Sequence, residues 1–182
     1  MLIKETSSSF EQAPIGAHIA ICVSLIDIGT SRKEYEGRVS YRREVRIAFE
    51  LPNELIETGE HAGQPHVVSM FYTMSLSEKA KLRDHLKNWR GRDFTPSELS
   101  GFDLRNILGK PCMLSVTHNG KGKSIIGGIM SLPRGTPVPA LANNVLYFSL
   151  DEFDQSVFDS LSGHDRKEPR IPSVDCTTRS KP

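Results

Sequence analysis

Cysteine is scarce in this chain, and that scarcity excludes a disulfide scaffold. Cys22, Cys112 and Cys176 are too few and too scattered to staple a small fold. Cys22 and Cys112 fall in strand-like runs, where a free thiol acts as a small hydrophobe, whereas Cys176 lies in a polar tail, open to reaction. Long hydrophobic runs are missing too. No stretch approaches the ~20 apolar residues that span a bilayer. The polar opening MLIKETSSSFEQAP lacks the apolar core of a signal peptide, so the expectation is a soluble, cytoplasmic protein. Net charge is nearly absent, at a formal +1. Any nucleic-acid site must then be a local patch rather than a global field.

Catalytic motifs are absent as well. The chain has no paired CxxC, no HExxH and no GxSxG. GKGKS imitates a phosphate loop, but the glycine needed five residues before Gly122 is Thr117, and the segment leads into a strand. His61 and His66 share a loop and read as solvated rather than metal-binding. Glu44 and Glu50 sit beside arginines and read as surface charges paired across strands. These absences point away from an enzyme, a metal site and a cofactor.

What is present is globular. With 182 residues, 25% charged and 37% hydrophobic, the chain suits one domain with extensions. Ala17 to Asp27 alternates with Ile19, Ile21, Val23 and Leu25 on one face, and Arg42 to Leu51 with Val45, Ile47, Phe49 and Leu51. Between them, IGTSRKEYEGRVS reads as a long basic loop or a flared hairpin. Val67 to Leu76 is a third strand, with Val68, Met70, Tyr72 and Met74 opposing Ser69, Phe71 and Thr73. A helix follows from about Ser77 to Trp89, with Ser75 and Glu78 as a capping box and Leu82, Leu86 and Trp89 as its apolar stripe. Thr95-Pro96-Ser97-Glu98 starts a short helical pair ending at Gly109.

LGKPCMLSVTHNGKGKSIIGGIMSLP then reads as a hairpin over Leu108–Pro133. Cys112, Leu114 and Val116 share a face, the turn is Asn119–Gly122, and Ile125 and Ile129 alternate with Ile126 and Met130. Residues 133–148 read as a proline-rich connector that wraps the barrel. Ser149 to Glu152 caps a last short helix bearing Phe153, Val157 and Leu161.

The expected fold is mainly β with short helices. Its strand-strand-strand-helix-strand-strand order is that of an OB-fold, a five-stranded, partly open barrel with a helix between strands three and four, here with a C-terminal extension. The expected divisions are a flexible arm over 1–14, the OB-fold domain with connector and short helix over 15–162, and a disordered tail over 163–182.

EVRIAFELP, SLSEKAKLRDHLKNWRGRDFTPSELSGFDLRNILGKPCMLSV and SLPRG…NNVLYFSLDEFD together resemble a family of small bacteriophage proteins. These are OB-fold single-stranded DNA-binding proteins encoded near replication and recombination genes. The likeness covers roughly Pro14 to Leu161. It implies single-stranded DNA binding in a bacterial host's cytoplasm, with replication or recombination proteins as further partners; it names no binding residue. The chain departs from many single-stranded DNA-binding proteins in ending TTRSKP, without a partner-recruiting acidic tip. Oligomeric state stays open, a dimer included.

A single-strand site needs cations for phosphates and aromatic faces for bases. The candidates are Arg32, Lys33, Tyr35, Arg38 and Tyr41 after the first strand, Arg42 and Arg46 on the second, and His118, Lys121 and Lys123 at the last hairpin turn. Phe71 adds a stacking ring on the polar face of strand three. Because the first and fourth strand connections flank the binding face of such a barrel, these groups are expected to converge. Lys79, Arg83, Lys87 and Arg90 also align on the helix, where a solvated face accounts for them. The competing reading is a protein-interaction module engaging a replication or host-defence protein, which the glutamates among the arginines favour.

Overall fold

The computed structural model describes residues 11–161. One sheet dominates it. Its strands are β1 (Gly16–Tyr35), β2 (Arg38–Leu55), β3 (Pro65–Thr73), β4 (Pro111–His118), β5 (Ser124–Met130) and β6 (Leu146–Phe148). The hydrogen-bonded path runs β3-β2-β1-β4-β5, and β6 adds to β1 in parallel. β3 and β5, the two ends of the path, approach each other, but no ladder joins them. Helix α1 (Lys81–Arg90) packs against both and covers the opening.

β1 and β2 are far longer than expected, because the basic segment between them is itself paired. The two strands stay in register to Tyr35↔Arg38. Glu36 (φ 48°) and Gly37 (φ 72°) close the hairpin, a two-residue turn with positive φ at both positions that matches strand twist. Of the two forms expected for this segment, loop or flared hairpin, the structure has the hairpin.

In β2 the core follows the period-2 pattern, but in β1 it does not: a bulge between Cys22 and Ser24 puts Ala20, Cys22 and Leu25 in the main core, while Ile21 pairs with Glu50 on the other face, so Ile19, Ile21, Val23 and Leu25 do not share one face as expected. Val45, Ile47, Phe49 and Leu51 of β2 meet Cys22, Leu25, Leu114 and Val116. Leu82, His85, Leu86 and Trp89 of α1 seal it; the Trp89 ring lies 5.5 Å from that of Phe49, and its Nε1 donates to Pro111 O at 2.7 Å. The capping box at Thr95 and Glu98 forms as expected, at the start of α2 (Pro96–Ser100).

Several expectations need correction. The box at Ser75 and Glu78 does not form: Ser75 Oγ accepts from Ser77 N in a local turn, and α1 begins four residues late, after an uncapped Ala80. In β5, Ile126 and Ile129 are buried while Ile125 and Met130 are exposed. The pairing shifts between Ser115↔Gly128 and Val116↔Ile126, so Gly127 is an extra residue that changes the phase. His66 is buried in β3 rather than solvated in a loop. Residues 11–14 are docked rather than part of an arm: Ala13 is buried, and Glu11 accepts from the backbone N–H of Glu57 and Thr58.

Glu50 is the largest surprise. It is fully buried, and its carboxylate accepts from Ala142 N, Asn143 N and Asn143 Nδ2 at 2.7–3.0 Å. A charge-assisted network therefore replaces the surface pair expected there. It fastens the connector across the outer face of β2. The connector continues into β6, which sequence alternation missed, and then into α3 (Gln155–Ser160). α3 starts later than expected, because the N-cap is Asp154, which accepts from Ser156 N and Val157 N, and not the 149–152 segment. Ile26, Ile28, Phe148 and Leu161 form a second small core under this strap. The tail expected over 163–182, with Cys176, lies outside the described residues.

Candidate nucleic-acid interface

Directly paired residues share a sheet face, so register sorts the candidates. Tyr35 pairs with Arg38, Lys33 with Ser40, Ser31 with Arg42 and Gly29 with Glu44. One step further, Glu44 pairs with Thr73 and Arg46 with Phe71 across the β2–β3 ladder. β2 carries no bulge here, so Lys33, Tyr35, Arg38, Arg42, Arg46 and Phe71 lie along one outer face. Arg32 and Tyr41 pair with each other on the opposite face of the hairpin.

The face carries four cations, at Lys33, Arg38, Arg42 and Arg46, against Glu44, which Lys33 approaches to 3.2 Å and Ser31 to 2.8 Å. Arg38 and Arg42 are exposed. Tyr35 is 76% and Phe71 45% exposed, while Tyr72 beside Phe71 is 3% exposed. The alternation of β3 thus turns Phe71 outward and Tyr72 inward, where the Tyr72 hydroxyl meets His85 Nδ1 at 2.8 Å. Burial, with the nearby Lys81 charge, holds the His85 pKa below its ordinary value, which favours the neutral imidazole beside the phenol.

The third group sits at the other end of β1 from the hairpin tip: Gly16 pairs with Val116 at the start of β1, whereas Tyr35 ends it. At ~3.3 Å per residue, that strand path is ~60 Å long. The β4–β5 turn borders β3 instead, where Ser124 lines one cavity with Val67 and Ser69, the strand neighbours of Phe71 on its face. The turn also meets the N-terminal segment: His118 Nε2 donates to Ala13 O at 2.8 Å, and Ser124 Oγ also donates to Ala13 O. Asn119 Oδ1 shapes the turn by accepting from Lys121 N and Lys123 N, leaving both lysine side chains in solvent. On α1, Arg83 and Lys87 pair with Asp93, and Arg90 with Glu98. Lys79 and Lys87 are exposed, but Arg83 and Arg90 are largely covered, Arg90 lying over the Phe94 and Phe102 rings, so the stripe is engaged locally rather than forming a solvated helix face.

A separate cavity of about 280 Å³ opens between β1, β2, the segment after α2 and β6. Its apolar wall includes Leu25, Val45, Leu82 and Phe102; its polar wall is Asp27, Arg43 and Asp151. Arg43 bonds both carboxylates, which leaves this wall with more carboxylates than cations. Asp27 also accepts from Gly29 N, a local contact, and from Leu150 N, a contact invisible to sequence because it joins segments far apart in the chain. The core thiols are inert: burial pushes Cys22 up to about 12 and raises Cys112 further. Among the described residues no cluster of three or more metal-ligating side chains occurs, and no helix is long and apolar enough to cross a membrane. No family model, curated protein or solved structure matches the chain.

Proposed function

We propose that the protein is a non-catalytic single-stranded DNA-binding protein built on a partly open OB-type barrel. The strand path supports the barrel reading: β1 pairs on one side with β2 and on the other with β4, and α1 plugs the gap between β3 and β5. Closing that gap gives the five-stranded barrel. One observation carries the functional reading: Lys33, Arg38, Arg42 and Arg46 share a face with the exposed rings of Tyr35 and Phe71. Cations along the backbone path and rings for the bases are the two requirements of sequence-tolerant single-strand binding. The resemblance to phage proteins adds the setting, which is strand protection during phage replication or recombination in the host cytoplasm.

Anisotropy titration with labelled oligo-dT over a salt series tests this. Saturable binding whose log affinity falls with log salt by roughly 0.7 per phosphate contact supports it. No binding at low salt overturns it in favour of the interaction module, which the glutamates interspersed in the β1–β2 hairpin support, Glu34 and Glu44 already holding Arg32 and Lys33.

A further inference from the structure

The β1–β2 hairpin has a second face that a strand lying on the sheet leaves unused. Arg32 and Tyr41 pair there, as do Glu34 and Val39. Tyr41 is 71% exposed and Val39 44%. Arg32 reaches Glu34 at 2.9 Å, an exposed pair of little net worth. Among the described residues, the two strands pair only with each other from Thr30 to Arg42: Met74 N already reaches Arg43 O at 2.8 Å, β3 joins β2 from Glu44 onward, and β6 joins β1 at Ser24–Ile26. The outcome is a free ribbon with a cation and an aromatic ring on each face. Its base is fixed, because Arg43 is clamped between Asp27 and Asp151.

We propose that this ribbon enters a groove of duplex DNA, so that the preferred ligand is a junction between single and double strands. The proposal rests on the single-strand reading of the sheet face. A major groove ~12 Å wide admits a two-stranded ribbon. The free part extends ~20 Å at ~3.3 Å per residue, and a sheet with its side chains is ~10 Å thick. Entering tip-first, the ribbon meets a phosphate wall on each side: Arg32 serves one, Lys33 and Arg38 the other. The duplex then continues outward from the arm, while its unpaired strand runs back along Arg42, Arg46 and Phe71. A single strand alone leaves Arg32 and Tyr41 in water.

The test compares the full chain with its Arg32→Ser/Tyr41→Ser variant on three labelled probes: oligo-dT, a blunt duplex, and the same duplex with a dT overhang. The native chain is expected to bind the overhang duplex about ten-fold tighter than oligo-dT, the added contacts being phosphate contacts. The variant, altered only at exposed positions, is expected to lose that preference yet bind oligo-dT within about two-fold of native. Its salt slope on the overhang duplex should fall by roughly 0.9 for the arginine removed. Equal native affinity for oligo-dT and overhang duplex overturns the ribbon proposal alone. So does a variant that keeps the preference. Binding to the blunt duplex without binding to oligo-dT overturns the single-strand reading and the junction with it, as does failure to bind any probe at low salt.

Discussion

Asp27 accepts the guanidinium of Arg43, and this pair fixes the point where the sheet ends and the free hairpin begins. Arg43 also holds Asp151 at 2.7 Å, and Asp27 accepts from Leu150 N, so the arm's base and the C-terminal strap share one polar knot. Burial by itself pushes the Asp27 carboxyl up, but the hydrogen bonds from Arg43, Gly29 N and Leu150 N outweigh it, and its pKa lies below the ordinary value.

Asp27 should therefore make stability depend on acid. A carboxyl depressed in the folded state contributes fully above its unfolded pKa of ~3.9 and loses that contribution as pH falls through the folded value. Asp27→Asn should cost about 1–3 kcal/mol at pH 7, where buried donors are left poorly matched. The gap between variant and native melting temperatures should narrow as pH drops below about 4. A gap that stays constant from pH 7 to pH 3 would show that the charge of Asp27 is irrelevant to the fold.

Neighbouring rings on β3 should separate binding from stability. Phe71→Ala is expected to weaken oligo-dT binding by ~1–3 kcal/mol, as for a stacked base, while melting near native. Tyr72→Ala removes a buried ring and its hydrogen bond to His85 and should cost ~3–5 kcal/mol of stability. Normal binding by folded Phe71→Ala would remove stacking from the mechanism.

The two basic groups should differ in the same titration. Arg42→Glu with Arg46→Glu is expected to flatten the oligo-dT salt slope by roughly 1.4, two contacts at ~0.7 each. Lys121→Glu with Lys123→Glu, at the other end of β1, should leave it unchanged. An equal loss in both pairs would extend the strand's path to the β4–β5 turn.

Glu50 should hold the connector down. Its carboxylate takes all three N–H donors from Ala142 and Asn143. Glu50→Gln keeps the shape but removes the charge, and should cost about 1–3 kcal/mol. Trypsin cleavage at exposed Arg134 should accelerate. Unchanged cleavage would mean that β6 pairing alone fixes the connector.

Much of this molecule is legible in its sequence because burial imposes a period. Alternation alone sorts Val45, Ile47, Phe49 and Leu51 into the core and separates Tyr72 from Phe71. Turn and cap chemistry is equally local: Thr95 with Glu98, and the Asn119 turn, follow from side chains that bond their own neighbouring backbone. Position 36 shows the limit of that rule, since Glu36 takes a positive φ for which residue type gives no warning. There, strand pairing on both sides dictates the turn.

The tertiary structure decided what depends on pairing between distant segments. The polar run after Asp27 has no core to alternate against, so only its register with β2 makes it a ribbon and divides its basic residues between two faces. Gly127 shifts the phase of β5 only because β4 sets the register opposite. Glu50 has the residue type of a surface charge. It is buried because Ala142 and Asn143, some ninety positions later, bring enough N–H donors to replace water around its carboxylate. Residue type fixes what a side chain needs, and long-range pairing decides which distant group supplies it.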